Sequence, residues 1–90
     1  MIFEWHEDKR LANSVKHGVS FEDAAFAFDG RRCVEVASDR FGEMRHARTA
    51  LVKNVMITVV WTPRGSVVRL ISARRARDVE KRRYYAYFAI

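Results

Sequence analysis

A single cysteine, Cys33, stands in this chain of 90 residues, so no internal disulfide can form and no cysteine-based zinc site can be built. A lone thiol fits a reducing compartment, with Cys33 as a free, buried group. No apolar run reaches the length of a signal-peptide core or a membrane span, and Met1 to Arg10 carries Glu4, Glu7, Asp8, Lys9 and Arg10. These absences point to a cytoplasmic protein. His6, His17 and His46 lack the mutual spacing of metal ligands, and no P-loop, dinucleotide fingerprint, nucleophile elbow or zinc finger is present. A repeat of roughly 20 to 50 residues, a low-complexity tract and a linker are missing too, which leaves one domain over residues 1–90.

Acidic residues are in deficit: 11 of them face 17 cations, a net charge of +6. Such a surface attracts RNA, DNA or an acidic protein through its summed field. Thirteen of the cations are arginine, whose planar fork matches phosphate and carboxylate oxygens. Hydrophobic residues make up 49% of the chain, enough for one core, so the charge does not signify disorder.

Ile2 to Trp5 reads as a short strand. Glu7 to Lys16 reads as an amphipathic helix whose apolar stripe is Leu11 and Val15, with Gly18 as its stop. Ser20 caps a second helix, Asp23 reaches back to close a capping box, and Phe21, Ala24, Ala25 and Phe28 face the core. Asp29-Gly30 ends it. Cys33 to Ala37 has strand composition, with Val34 and Val36 on one side and Glu35 on the other. The polar stretch Ser38 to Glu43 reads as a loop. Strands follow from Arg45: His46, Arg48 and Ala50 alternate with Ala47, Thr49 and Leu51, and the almost wholly apolar Val55 to Trp61 belongs at the centre of the sheet. Lys53-Asn54 and Thr62-Pro63-Arg64-Gly65 are the turns, Val67 to Ser72 is the last strand, and Ala76 to Ile90 is a helix. The expected class is α+β: a short N-terminal strand and two helices on an antiparallel sheet of about four further strands, then a C-terminal helix.

Three groups of side chains invite chemistry, and each has a plain structural alternative. Lys16-His17-Gly18 closes the first helix, where cations suit the dipole; His17 could equally move a proton while Lys16 holds a phosphate. Glu43, Arg45, His46 and Arg48 open the third strand, and period two lets Glu43 and Arg45 neutralise each other. Arg69, Ser72, Arg74 and Arg75 end the last strand, either as a solvated basic edge or as a convergence of cations on an anion. Alternation puts Arg69 on the face of Val67 and Ile71. Trp61 lies in line with Val55, Ile57 and Val59 and belongs to the core, and the Tyr84 to Phe88 cluster reads as a packing or partner surface.

Phe3-Glu4-Trp5 with Asp8-Lys9, Ala12-Asn13, Lys16 to Glu22, Gly42-Glu43 with Arg45, and Ile71 to Ala76 with Glu80 together resemble the BrnT toxin family across nearly the whole chain. The resemblance implies a RelE-like fold and a metal-independent, cofactor-free ribonuclease that inhibits translation. It also implies neutralisation by a BrnA-type antitoxin with a ribbon-helix-helix DNA-binding part, and leaves room for a toxin dimer within that complex. In such enzymes the RNA 2′-hydroxyl is the nucleophile, so the protein supplies a base, an acid and cations. Carried over by position, the pattern makes His17 or Glu43 the proton acceptor, with Arg45, Arg69 and Arg74 around the charged phosphorane. Lys16, Arg48, Ser72 and Arg75 become RNA-binding residues. One departure is that Arg77-Asp78 stands where the resemblance leads one to expect a threonine cap, which would start the last helix on an Asp cap one residue later.

Two other classes compete. The same basic surface could hold an acidic partner or a nucleic acid without cleaving it, and a DNA-binding regulator would need a recognition helix that the first two helices do not offer.

Overall fold

A computed structural model describes residues 1–89; Ile90 lies outside the described residues. Five strands, β1 (Ile2–Glu4), β2 (Cys33–Arg40), β3 (Glu43–Val52), β4 (Val55–Arg64) and β5 (Val67–Arg75), form one sheet in the order β1-β5-β4-β3-β2. Four of them make the expected antiparallel meander with β4 in the middle. The sheet is nevertheless mixed, because β1 joins its edge parallel to β5, pairing Phe3 with Val68 and Glu4 with Arg69.

Helices α1 (Glu7–His17) and α2 (Phe21–Ala24), with a 3-10 turn at Ala25–Phe28, lie on one face. Gly18 adopts φ 67° and donates its N–H to Ser14, the left-handed stop that closes α1. Ser20 Oγ accepts the Asp23 N–H at 3.0 Å, as a cap should. The Asp23 carboxylate does not reach back; it accepts from Lys53 Nζ at 2.8 Å, so the reciprocal half of the box is replaced by a tie to the β3–β4 turn.

Val19, Phe21, Ala24, Ala27 and Phe28 pack on Ala50, Val52, Ile57, Val59, Val68, Leu70 and Ala73. Phe21 and Leu70 are fully buried, and truncating such a phenylalanine costs about 3–5 kcal/mol. Ala27 takes the buried place expected of Ala25, since the tighter turn after Ala24 shifts the phase of the face. A larger difference concerns α1. Leu11 and Val15, expected to face the core, are 52% and 90% exposed, while Asn13 is buried. Its amide donates to Val19 O and Ala73 O and accepts the Ala73 N–H, at 2.8–3.0 Å. Three hydrogen bonds to backbone orient α1 more firmly than two apolar side chains do.

β2 runs on through Ser38, Asp39 and Arg40, so the expected loop is only the two-residue turn Phe41-Gly42, supported by Asp39 Oδ1 accepting the Gly42 N–H at 3.1 Å. Lys53-Asn54 is the expected turn, with φ of 50° and 66°. β4 also continues through Pro63 and Arg64, beyond the expected turn at Thr62–Gly65, and Gly65-Ser66 makes the connection. Pro63 fits because β4 pairs with β3 only as far as Trp61, and beyond it the Thr62 hydroxyl donates to Met44 O at 2.8 Å.

α3 (Asp78–Tyr87) packs on the other face of the sheet, toward β2 and β3. Its cap residue is Arg77, with Asp78 already the first helical residue, so the expected Asp cap is displaced by one. The Glu80 carboxylate accepts the Arg77 N–H at 2.8 Å and thereby performs the capping.

Candidate functional site

The sheet face shared with α3 gathers three of the candidate cations, Arg45, Arg69 and Arg74, and a bulge in β5 makes this possible. Trp61 pairs with Leu70 but Val60 pairs with Ser72, so Ile71 is an extra residue. Strict alternation would separate Arg69 from Ser72 and Arg74. The bulge resets the phase and puts all three on one face, while Leu70 and Ala73 stay in the core. The expectation that Arg69 shares a face with Ile71 in regular alternation is corrected accordingly.

Across this face Arg45 on β3, Thr62 on β4, Arg69 on β5 and Glu4 on β1 form a row. Adjacent strands are about 4.8 Å apart, so Arg45 and Arg69 flank Thr62 with roughly 10 Å between their backbones, room for a phosphodiester between the two guanidinium groups. Arg69 Nη1 lies 3.3 Å from Glu4 Oε1 and Arg45 Nε lies 3.5 Å from Glu43 Oε2. Arg64 bridges the two carboxylates, 4.0 Å from Glu4 and 3.8 Å from Glu43. The result is a chain of three arginines and two glutamates. Every contact in it is long and single, and Arg45 Nε is buried without a hydrogen-bond partner. A buried donor left unpaired costs about 1–3 kcal/mol, which an oxyanion would recover.

Arg74, on the same face one end further along, differs. Its Nη1 and Nη2 grip Glu80 at 2.6 and 2.9 Å, and Glu80 also accepts from Thr58 Oγ1 at 3.0 Å and from the Arg77 N–H. Thr58 in turn meets Thr49 Oγ1 at 2.8 Å. Burial alone pushes the Glu80 carboxyl up, but the Arg74 fork, the Arg77 N–H and the Thr58 hydroxyl outweigh it and bring its pKa down to about 2.

Arg48 and His46 lie on the opposite face. Arg48 Nε donates to Glu35 Oε2 at 2.5 Å, and its guanidinium stacks 4.1 Å from the Phe28 ring centroid. Glu35 also accepts from Trp61 Nε1 at 3.2 Å and lies 3.3 Å from His46 Nδ1. Lys16 and His17 end α1 on that face too. Gly18 and Val19 line a cleft of about 90 Å³ together with Lys53 and Arg75, at the β3–β4 turn end of the sheet. The candidate residues therefore fall into separate places: Glu43, Arg45, Arg69 and Ser72 on the half-exposed sheet face, Arg74 in a buried pair beside them, Arg48 behind the sheet, and Lys16, His17 and Arg75 at the far end. Glu4 and Arg64 were missed. Glu4 offered one signal: a strand residue beside Phe3, on the opposite face from the apolar side chain.

Among the described residues no helix is long and apolar enough to cross a membrane, and no three His, Cys, Asp or Glu side chains come together as metal ligands. Cys33 is free and half-buried.

Comparison with known families matches residues 5–80 to the model described as ribonuclease toxin, BrnT, of type II toxin-antitoxin system. No curated protein matches the chain. The match covers most of the sequence, from Trp5 just after β1 to Glu80 in the buried pair, and the chain belongs to the BrnT family of ribonuclease toxins.

Proposed function

We propose that the half-exposed sheet face is the ribonuclease site and that it cleaves RNA without a metal, using the RNA's own 2′-hydroxyl. The observation that carries this reading is the pair Arg45 and Arg69 on either side of Thr62, each held by one loose carboxylate contact, with Arg45 Nε buried and unpaired. A phosphodiester entering between them replaces long ion pairs with charge-assisted hydrogen bonds.

Glu43, beside Arg45, is the proton acceptor of choice over His17, which lies at the far end of the other face. Once Arg45 turns to the phosphate, the Glu43 carboxylate takes the 2′-hydroxyl proton. The O2′–P bond forms, the P–O5′ bond breaks, and the leaving oxygen takes a proton from water, giving a 2′,3′-cyclic phosphate and a 5′-hydroxyl. Arg45 and Arg69 stabilise the phosphorane, and Ser72, in the next row, offers a hydroxyl to a non-bridging oxygen. Arg74 serves by fixing the end of β5 against α3, and Arg48 by holding β2 and β3 behind the site.

The family description supports a toxin role, an RNA target and an antitoxin partner. We further propose that cleavage inhibits translation, that the fold is RelE-like in its order of one strand, two helices, four antiparallel strands and a helix, and that the antitoxin is of the BrnA type with a ribbon-helix-helix part. Incubating the purified chain with single-stranded RNA in the presence of a chelator tests the chemistry. Cyclic-phosphate ends that appear with the parent and fall at least about a hundredfold with Glu43→Gln support it. Salt-sensitive binding with the RNA left intact would instead identify a non-catalytic binding module.

A further inference from the structure

A second basic surface lies at the other end of the sheet from Arg45. Leu51, Asn54, Val55, Met56, Arg75, Lys81 and Tyr85 line a cleft of about 260 Å³ between the β3–β4 turn and α3. It contains no carboxylate, and neither Arg75 nor Lys81 takes part in an ion pair among the described residues. Both cations are therefore open to an anion, unlike Arg45, Arg64 and Arg69 at the other end of the sheet, which each have an acidic partner.

Lys81 and Tyr85 are four residues apart on α3 and so share one side of the helix. The Tyr85 ring is 62% exposed, and Tyr84 meets it edge-on at 5.7 Å, which steadies an otherwise free aromatic. Asn54 adds an amide from a turn whose left-handed backbone is fixed. Two unpaired cations, an amide and an open aromatic face form the set that recognises a nucleotide: cations for the phosphate, a ring for the base. An acidic peptide would use the cations and leave the ring idle. The volume lies below the roughly 300 Å³ of ordinary small-molecule pockets, which suits one unit of a polymer better than a free ligand.

We propose that this cleft holds a nucleotide of the RNA strand outside the cleaved step, with Arg75 and Lys81 on its phosphate and Tyr85 stacked on its base. The proposal rests on the ribonuclease reading for its ligand. Arg69 and Arg75 are six residues apart on β5, about 20 Å along the strand, so a short RNA reaches only one of the two places and a longer one reaches both.

Binding of non-cleavable 2′-O-methyl RNA, read by fluorescence anisotropy, tests this without requiring turnover. A four-nucleotide and a twelve-nucleotide strand are compared on the parent, on Tyr85→Ala and on the double variant Arg75→Ala with Lys81→Ala. All three positions are exposed, and circular dichroism checks that the variants remain folded. The expected result is a roughly tenfold loss of affinity for the longer strand, with the shorter strand changed less than about twofold. The double variant's salt dependence also becomes shallower by about 1 to 1.5 in the log–log slope. Unchanged affinity for the longer strand overturns the proposal, as does poly-glutamate binding that the same substitutions abolish while RNA binding stays intact. Loss or survival of cleavage in Arg69→Ala bears on the ribonuclease reading alone, so the two ideas fail separately.

Discussion

Arg74 and Arg45 occupy the same face of one sheet, yet they are held in opposite ways. Arg74 meets Glu80 fork to fork at 2.6 and 2.9 Å, with both side chains at least four-fifths buried and with Thr58 and the Arg77 N–H completing the carboxylate's partners. Arg45 meets Glu43 once, at 3.5 Å, with about a third of each side chain exposed and one buried donor unpaired. Arg69 and Glu4 resemble the second case. A saturated, desolvated pair has nothing left to offer a substrate, and breaking it strands a charge. A loose pair near water costs little to open and leaves its arginine free for phosphate. Residue type is the same in both; the satisfaction of the donors is what separates the structural role proposed for Arg74 from the catalytic one proposed for Arg45.

The largest expected effect tests the saturated end. Glu80→Ala leaves Arg74 buried without its counterion and should destabilise the chain by about 3–5 kcal/mol in urea denaturation. A change under about 1 kcal/mol would erase the distinction between the pairs. The same pair sets an acid limit. The Glu80 pKa is depressed in the folded state, from an ordinary value of 4.5 to about 2, so its contribution is fully present above about pH 4.5 and is lost as pH falls toward 2. On the order of 3 kcal/mol should disappear across that window, and Glu80→Gln should flatten this part of the stability–pH profile. The loose end predicts the contrary. Glu4→Gln should alter stability by no more than about 1 kcal/mol, since its ion pairs are exposed. Val15→Ser, at a position 90% open to solvent, should change thermal stability by less than about 0.5 kcal/mol, whereas an inward-facing stripe would make it costly.

Much of the architecture was legible because local rules agreed with the fold. Gly18 stops α1, Ser20 caps α2, Lys53-Asn54 turns between β3 and β4, and the apolar run from Val55 lies at the sheet's centre. What escaped depended on contacts distant in sequence. α1 is oriented by Asn13 reaching Ala73, sixty residues away, and no periodicity in α1 announces that. The turn Phe41-Gly42 was hidden because phenylalanine is a rare occupant of a left-handed position, at φ 54°. At the site, Arg45, Arg69, Ser72 and Glu43 were named from the sequence, but their sharing of a face was not visible. It follows from the Ile71 bulge, and alternation across a bulge misleads by one residue. Arg74 could not be separated from Arg69 in sequence, because its partner Glu80 lies beyond the strand and buries only when α3 docks.

The most direct measurement is RNA cleavage per folded molecule, in chelator, for Arg69→Ala alongside its thermal transition. The expected result is that kcat/KM falls about 10²–10³-fold while the transition stays within a few degrees of the parent. A folded Arg69→Ala chain that cleaves RNA at the parental rate would contradict it.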